Sequence, residues 1–321
     1  MCFRCAAAVA LVTLILLPSD ARSDRAKALR VIVGGSVGSS PDLIARRLSD
    51  GLSDALGRPV LVLNRPGASG MIAMEALAQA KPDGDTIGLA TMSQLVFNTY
   101  LFRDLRYDPI RDLAPVATLL LTPMVIAAHP RFEARSFPVL IDLAKKRPGD
   151  IRFATAGIGS PPRVVLAVIM GATGARFDAV PFKSDTNALT NVLSGEVPLL
   201  IASASFAGPH IRSGNLNGIA LTGRVRIASL PDVPTIAESG YPSIDVESWF
   251  GVVAPAGTAP QYVERLNDAI NRIISAPDFV AYAQSTGSHI LRTSPQQFSQ
   301  LIREAHTHWG AVFRSPLPGL P

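Results

Sequence analysis

The first clear hydrophobic pattern is a mostly apolar run at residues 29–33, typical of a strand buried on both faces of a parallel sheet. A loop of small residues follows at 34–40. Ser40, Pro41 and Asp42 then predict a helix start, because serine caps helices, proline suits the first turn and an acidic residue complements the dipole. Strand, loop and helix start together predict a site for an anionic group, since free backbone N–H groups point out of the helix end.

Apolar strands and amphipathic helices alternate at short spacing along the chain, which predicts βαβ units around a parallel sheet. The further apolar runs that we interpret as strands are residues 59–64, 86–90, 151–154, 197–202 and 218–222. Small polar residues follow the ends of several runs, where open α/β sheets bind their ligands. Residues 155–162 repeat the design of the opening unit, with a Gly/Ser loop and two prolines that begin a helix.

Two extended apolar regions interrupt this alternation. Residues 116–121 and 124–128 are interpreted as a pair of strands that leaves a first domain and enters a second, and residues 248–254 as a second crossing. The expected fold class is therefore α/β, with two Rossmann-like domains joined by two crossover strands around a hinged cleft. The predicted domains are residues 24–121 with 248–321, and residues 122–247.

The N-terminal residues have the pattern of a targeting segment. Arg4 precedes an apolar run, residues 6–17, that is too short to span a bilayer comfortably. Ala21-Arg22-Ser23 fits a small-x-small cleavage site, so residues 1–23 are predicted to be a secretory signal and the mature chain periplasmic. Both cysteines lie inside this segment, which excludes a cysteine nucleophile or a cysteine-ligated metal in the mature chain.

The composition narrows the function further. The formal net charge is +5 over 321 residues, and no run of Lys and Arg is interleaved with aromatic residues, so nucleic-acid binding is not expected. A hydrophobic content of 48% is ample for substantial cores. No later segment is long and apolar enough to span a membrane, so the mature protein is expected to be soluble.

Residues 34–38 match the G-x-S-x-G pattern of a nucleophile elbow, with Ser36 in the central position. A hydrolase would also need a histidine base and an acid, and the loop is longer than a tight elbow. A serine esterase using Ser36 is the alternative function. His306 and His308 point to different sides of the last helix, and no His/Asp/Glu cluster has metal-ligand spacing, so neither metal nor cofactor is expected.

Nine short motifs occur in one order across the mature chain. They are GSSPDLIAR at 38–46, NRPGASG at 64–70, KPDG at 81–84, YDP at 107–109, VPFK at 180–183, PHIRSG at 209–214, LPDVPT at 230–235, SWFG at 248–251 and APAGT at 254–258. Through this ordered set the chain resembles the Bug-type substrate-binding proteins of tripartite tricarboxylate transporters.

The resemblance implies a two-lobed periplasmic-binding-protein fold of type II that holds a small carboxylate without catalysis. It further implies delivery to membrane permease subunits, with no partner copy of the chain required, so a monomer is expected. The ligand-binding residues carried over by the resemblance are Gly35, Ser36, Val37, Gly38, Asp42, Thr91, Met92, Ser93, Thr155, Ala156, Gly159, Ser160, Phe182, Ser184, Ala202 and Ser203.

Three departures from the family pattern concern the ligand. The first loop carries fewer prolines than usual, and Arg163 stands near a position often filled by a neutral polar residue. Ala202 occupies a position where many members have an aspartate that could receive an ammonium group. The ligand is therefore expected to be an anion with no required ammonium group.

Three interpretations stay open at this stage. Asp42 could contact the ligand or only stabilise the helix start. Lys183 could offer a charge to the ligand or have a surface or hinge role. Trp249 and Phe250 could line the cleft or pack at the crossing between domains.

Overall fold

The computed structural model of this protein describes residues 27–155, 157, 159–314 and 317–320. The predicted signal peptide, residues 1–23, and the predicted ligand residue Ala156 lie outside the described residues. Within the described part of the chain, no helix combines the length and the hydropathy needed to cross a membrane.

The order of elements confirms the alternation of strands and helices. It begins with β1 (Leu29–Val33), α1 (Ser40–Leu56), β2 (Val60–Asn64), α2 (Met71–Ala78), β3 (Thr86–Thr91), α3 (Asn98–Leu101) and β4 (Leu113–Ala128). It continues with α4 (Phe137–Lys146), β5 (Arg152–Thr155), α5 (Pro161–Thr173), β6 (Asp178–Pro181), α6 (Asp185–Leu193), β7 (Leu199–Ser203), α7 (Ala204–Arg212) and β8 (Asn217–Leu221). It closes with β9 (Glu247–Pro255), α8 (Pro260–Ile274), α9 (Pro277–Ser285), β10 (His289–Ile290) and α10 (Pro295–Arg314).

These strands form one sheet in the order β2-β1-β3-β9-β4-β7-β5-β6, with β8 and β10 also paired to β4. β1 is parallel to β2 and β3, and β5 is parallel to β6 and β7, as predicted. β9 and β4 pair antiparallel with their neighbours, so the sheet is mixed and not wholly parallel. We name β1, β2, β3, β9 and β10 with their helices lobe 1, and β5 to β8 with their helices lobe 2.

β4 differs most from expectation. The interpretation of 116–121 and 124–128 as two strands is wrong, because they belong to one strand of 16 residues. Positions 113–123 pair with β9, and positions 124–128 pair with β7 and β8. Pro123 does not break the strand, since it lies where the pairing with β9 ends and a missing N–H does little harm. β4 therefore runs through both lobes, and the domain limits proposed above stay a prediction.

Helix α1 follows the first small-residue loop and packs its apolar face into the core of lobe 1. Ile44, Leu48 and Leu52 are buried on one face, in a cluster that includes residues of β1, β3 and α8. The helix begins at Ser40, as predicted, but Ser39 holds the N-cap position instead of Ser40. The apolar face thus anchors the helix, and its N-terminus projects from the carboxyl end of β1.

Candidate functional site

A cavity of about 780 Å³ lies between the two lobes at the carboxyl ends of their parallel strands. Lobe 1 contributes residues from the loops 34–41, 66–71 and 91–94. Lobe 2 contributes residues from the loops 157–161 and 181–185, together with Ser203. Each of these segments follows a strand, so the sheet itself brings them together.

The structure divides the predicted ligand residues into two groups. Those that line the cavity are Gly35, Ser36, Thr91, Ser93, Ser160, Phe182, Ser184 and Ser203. The other predicted residues that the structure describes do not line the cavity. They are Val37, Gly38, Asp42, Met92, Thr155, Gly159 and Ala202. Ligand contact stays a prediction for every one of them.

Four helices begin at the cavity, and each has a serine as its N-cap residue. These residues are Ser39 for α1, Ser160 for α5, Ser184 for α6 and Ser203 for α7. Prolines occupy the first turns of α1 and α5, so those helices contribute mainly through their dipoles. α6 and α7 have no proline in the first turn. The positive ends of four dipoles converge here, which favours a bound anion.

Two serine hydroxyls in the cavity wall are free. The Ser36 and Ser93 Oγ atoms are buried and make no hydrogen bond with the described residues. A buried hydroxyl without a partner costs on the order of 1–3 kcal/mol, and rotation of either side chain towards the cavity would let it donate to a ligand oxygen. By contrast, the Ser160 hydroxyl donates to the Gly157 carbonyl at 2.8 Å and the Thr91 hydroxyl to Gln94 Oε1 at 2.7 Å.

Gln94 is a cavity residue that the sequence interpretation missed. Its Oε1 accepts hydrogen bonds from the Thr91 N–H (2.6 Å) and hydroxyl, and its amide nitrogen faces two glycines. A Cβ added at Gly70 would lie 2.0 Å from that nitrogen, and one at Gly34 2.9 Å. Glycine at both positions therefore makes room for the amide. Gln94 directly follows the predicted residues Thr91, Met92 and Ser93, but the sequence interpretation stopped at Ser93.

Asp42 holds the first loop in shape from behind the cavity wall. Its carboxylate accepts from the Gly38 N–H (2.9 Å), Arg46 Nε (3.0 Å) and Asn64 Nδ2 (2.9 Å). Asn64 Nδ2 also donates to the Gly35 carbonyl at 3.0 Å. Burial by itself raises the pKa of Asp42, but the hydrogen bond from Arg46 and those from Gly38 and Asn64 outweigh it, so the pKa lies below its usual range.

The two lobes touch directly beside the cavity. The hydroxyl of Ser40 in lobe 1 lies 2.8 Å from that of Ser203 in lobe 2, within hydrogen-bonding distance. Gly159 of lobe 2 packs so closely on lobe 1 that an added Cβ would lie 2.7 Å from both Asn98 Oδ1 and Phe102. Gly159 therefore permits a close approach of the lobes. It contacts lobe 1 and does not line the cavity.

Among the described residues that line the cavity, Lys183 and Asp185 are the charged ones. Lys183 is exposed, whereas Asp185 is half-buried in the first turn of α6. Burial raises the pKa of Asp185 to about 6. Sequence interpretation did not single out Asp185, because an acidic residue at a helix start has an ordinary role in helix stability.

The two aromatic residues of the predicted second crossing, which is β9, have different surroundings. Phe250 lines the cavity, whereas Trp249 packs edge-on against Phe298 of α10 with ring centroids 5.5 Å apart. Both alternatives considered for this pair are thus realised, one by each residue. Arg163 lies outside the cavity and donates to the Gly319 carbonyl near the C-terminus.

Ser36 lacks the neighbours of a catalytic serine. Its hydroxyl has no hydrogen-bond partner among the described residues. All five histidines of the chain are described, and none lines the cavity. A serine hydrolase needs a base within hydrogen-bonding reach of the nucleophile, so the geometry gives the esterase alternative no support.

Two α/β lobes, strands shared between them and a cavity at the strand ends define the two-lobed fold of periplasmic binding proteins. The chain belongs to the tripartite tricarboxylate transporter receptor family, TctC, whose pattern matches residues 44–316. Members of this family are periplasmic solute-binding receptors.

Individual relatives agree with this assignment. Protein BugT of Bordetella pertussis is 34% identical over 301 residues, which cover 94% of this chain and 92% of BugT. MatC from Rhodopseudomonas palustris, solved with bound malate, is similar with a TM-score of 0.85 at 27% identity, covering 89% of this chain and 98% of MatC. An R. palustris protein solved with adipate has a TM-score of 0.87 at 27% identity, covering 91% of this chain and 98% of that protein.

Proposed function

We propose that this protein captures a small carboxylate in the periplasm and delivers it to the membrane permease subunits of a tripartite tricarboxylate-type transporter. It acts as a monomer and without catalysis. One observation carries the proposal, namely that four helix N-termini and two free serine hydroxyls meet at a single cavity between the lobes. Such a cavity attracts an anion through dipoles and neutral donors.

The family and its solved members support a carboxylate in particular. Malate and adipate, bound by the two R. palustris proteins, are both dicarboxylates. A carboxylate accepts hydrogen bonds through two oxygens, and the cavity wall contains two hydroxyls without a partner among the described residues, those of Ser36 and Ser93. The transporter partnership follows from the family of receptors to which the chain belongs.

A thermal screen followed by calorimetry tests this proposal. A ligand that binds only the folded state raises Tm, so di- and tricarboxylates, aromatic acids and amino acids are added singly to the purified mature chain. Hits are then titrated into wild type and Ser36→Ala. Ser285→Ala is the matched control, because its exposed hydroxyl donates to the Tyr282 carbonyl away from the cavity. Absence of binding by every carboxylate would overturn the proposal.

Two further measurements address location and catalysis. The N-terminus of periplasmic material is expected at or near Asp24, by mass spectrometry. Hydrolysis of a p-nitrophenyl ester is expected to be equal for wild type and Ser36→Ala. A retained segment 1–23, or hydrolysis that depends on Ser36, would contradict the corresponding part of the proposal.

A further inference from the structure

The proposed function leaves one feature unexplained. The cavity that we propose binds a ligand carboxylate also contains a carboxylate of the protein itself. Asp185 lines the cavity from lobe 2, at the first residue of α6. Its side chain makes no hydrogen bond or ion pair with the described residues. The neighbouring N-cap, Ser184, is occupied by Asn187, whose N–H donates to the serine hydroxyl at 3.2 Å.

Within the described part of the chain, no cationic side chain forms an ion pair with this carboxylate. Lys183 is the other charged residue among the described lining residues, and it is exposed and forms no ion pair with Asp185. The strands that pack against α6 end in Thr155 of β5, behind the wall, and Ser203 of β7, which lines the cavity, and lobe 1 presents serines opposite. None of these side chains titrates near neutral pH. Burial alone accounts for the raised pKa of Asp185, about 6.

The ionisation state at neutral pH follows from this pKa. Because this pKa lies below 7, Asp185 is mainly ionised at pH 7, and its carboxylate is then a negative charge in the cavity wall without an ion-pair partner among the described residues. A second ligand carboxylate near Asp185 would be repelled, whereas a cationic nitrogen would be attracted. The low polarity of the surrounding wall, which includes Phe182 and Phe250, strengthens either effect.

We propose that Asp185 determines specificity by pairing with a cationic nitrogen, so that the ligand is a zwitterionic amino carboxylate and not a dicarboxylate. This inference rests on the proposed function, since the ligand carboxylate is held by the helix N-termini and serines. It revises the expectation drawn from Ala202, because the acidic group comes from the start of α6 and not from the end of β7.

The test compares probes that are matched in carbon number. Monocarboxylates, α,ω-dicarboxylates, and α- and ω-aminocarboxylates of four to eight carbons are titrated into wild type, Asp185→Asn and Asp232→Asn. The last variant is the control, because it removes one exposed aspartate outside the cavity. We expect wild type to bind an aminocarboxylate at least about tenfold more tightly than the dicarboxylate of equal length, as a charge-assisted pair allows.

Asp185→Asn should lose at least about tenfold for that aminocarboxylate and gain or keep affinity for the dicarboxylate. Asp232→Asn should bind like wild type. The pH profile is an independent readout that needs no variant. Aminocarboxylate affinity of wild type should fall about tenfold between pH 7 and pH 5, as Asp185 becomes protonated.

The outcomes separate the two proposals. If dicarboxylates bind best and Asp185→Asn leaves aminocarboxylate affinity unchanged, this inference is overturned and the carboxylate receptor stands. Tightening of dicarboxylates as pH falls through 6, without aminocarboxylate binding, would likewise overturn it and show a protonated Asp185 donating to the ligand. If no probe binds, the proposed function fails and the inference fails with it.

Discussion

The loop after β1 and the loop after β6 border the same cavity from opposite lobes, yet they treat charge in opposite ways. Beside the first loop, in the first turn of α1, Asp42 is 1% exposed, and its carboxylate accepts hydrogen bonds behind the wall from Gly38, Arg46 and Asn64. In the second, Asp185 lies in the wall itself without a partner among the described residues. Their pKa values shift accordingly, downward for Asp42 and upward to about 6 for Asp185.

Under the two proposals above, one cleft combines groups that bind any carboxylate with a group that selects between carboxylate ligands. A carboxylate that is hydrogen-bonded behind the wall keeps the loop in place and leaves neutral groups, such as Ser36, to face the cavity. A carboxylate exposed to the cavity is a cost in the free protein that a suitable ligand removes. In the binding mode that we propose, lobe 1 supplies the frame for the ligand carboxylate, and lobe 2 supplies the group that distinguishes between ligands.

The largest effect is expected where the two lobes meet. Gly159→Val adds a side chain whose Cβ lies 2.7 Å from Asn98 Oδ1 and from Phe102, so lobe 2 cannot approach lobe 1 as closely. Affinity should fall by about a hundredfold, since overpacking costs roughly 1–3 kcal/mol. Calorimetry measures this, with Gly171→Ala as the control because its Cβ would meet Leu317 at an ordinary 3.7 Å. Unchanged affinity would show that this approach is not needed for binding.

Breaking the frame of lobe 1 should cost stability. Asp42→Ala leaves the Gly38 N–H and Asn64 Nδ2 without their buried acceptor, which should lower the free energy of unfolding by about 2 kcal/mol. The stabilisation by Asp42 is present above its unfolded pKa and is lost as pH falls through its lower folded pKa. Urea unfolding at pH 7 measures the difference. Asp50→Ala, an exposed change on the same helix, should have little effect on stability. Equal free energies of unfolding for Asp42→Ala and wild type would show that Asp42 does not hold the first loop in place.

The loss of affinity on removing a serine hydroxyl should depend on whether that hydroxyl already has a hydrogen-bond partner. Ser36→Ala removes a free hydroxyl, so affinity for a bound carboxylate should fall about tenfold. Ser160→Ala should cost less, because that hydroxyl already donates to Gly157. Titration of both variants and the double variant distinguishes them. A larger loss for Ser160→Ala would place the anion nearer lobe 2 than we infer.

The smallest effect concerns the ligand-free protein. Asp185→Asn removes an uncompensated charge, which should raise the free energy of unfolding at pH 7 by about 1 kcal/mol and Tm by about 2 °C. Because burial raises the folded pKa to about 6, the wild-type penalty is absent below the unfolded pKa of 3.8, grows between 3.8 and 6, and stays constant at higher pH. The difference between the two proteins should therefore vanish near pH 4. Calorimetric scans from pH 4 to pH 8 measure it, and a difference independent of pH would contradict the account.

Local patterns determined much of this protein in advance. The run 29–33 is β1 as predicted, and the two prolines at 161 and 162 do begin α5. The ordered family motifs predicted the two-lobed fold and also the loops that surround the cavity. These features follow from sequence because period, capping and turn chemistry act over a few residues and need no distant partner.

Tertiary structure decided the rest. Whether 116–128 is one strand or two depends on β9 and β7, which approach it from different parts of the chain. Gln94 faces the cavity because Gly34 and Gly70 leave room for it, and Asp42 is withdrawn from the cavity because Asn64 and Arg46 reach it. Asp185 owes its raised pKa to burial in the folded protein. Desolvation and close approach are properties of the packed molecule, and no local pattern encodes them.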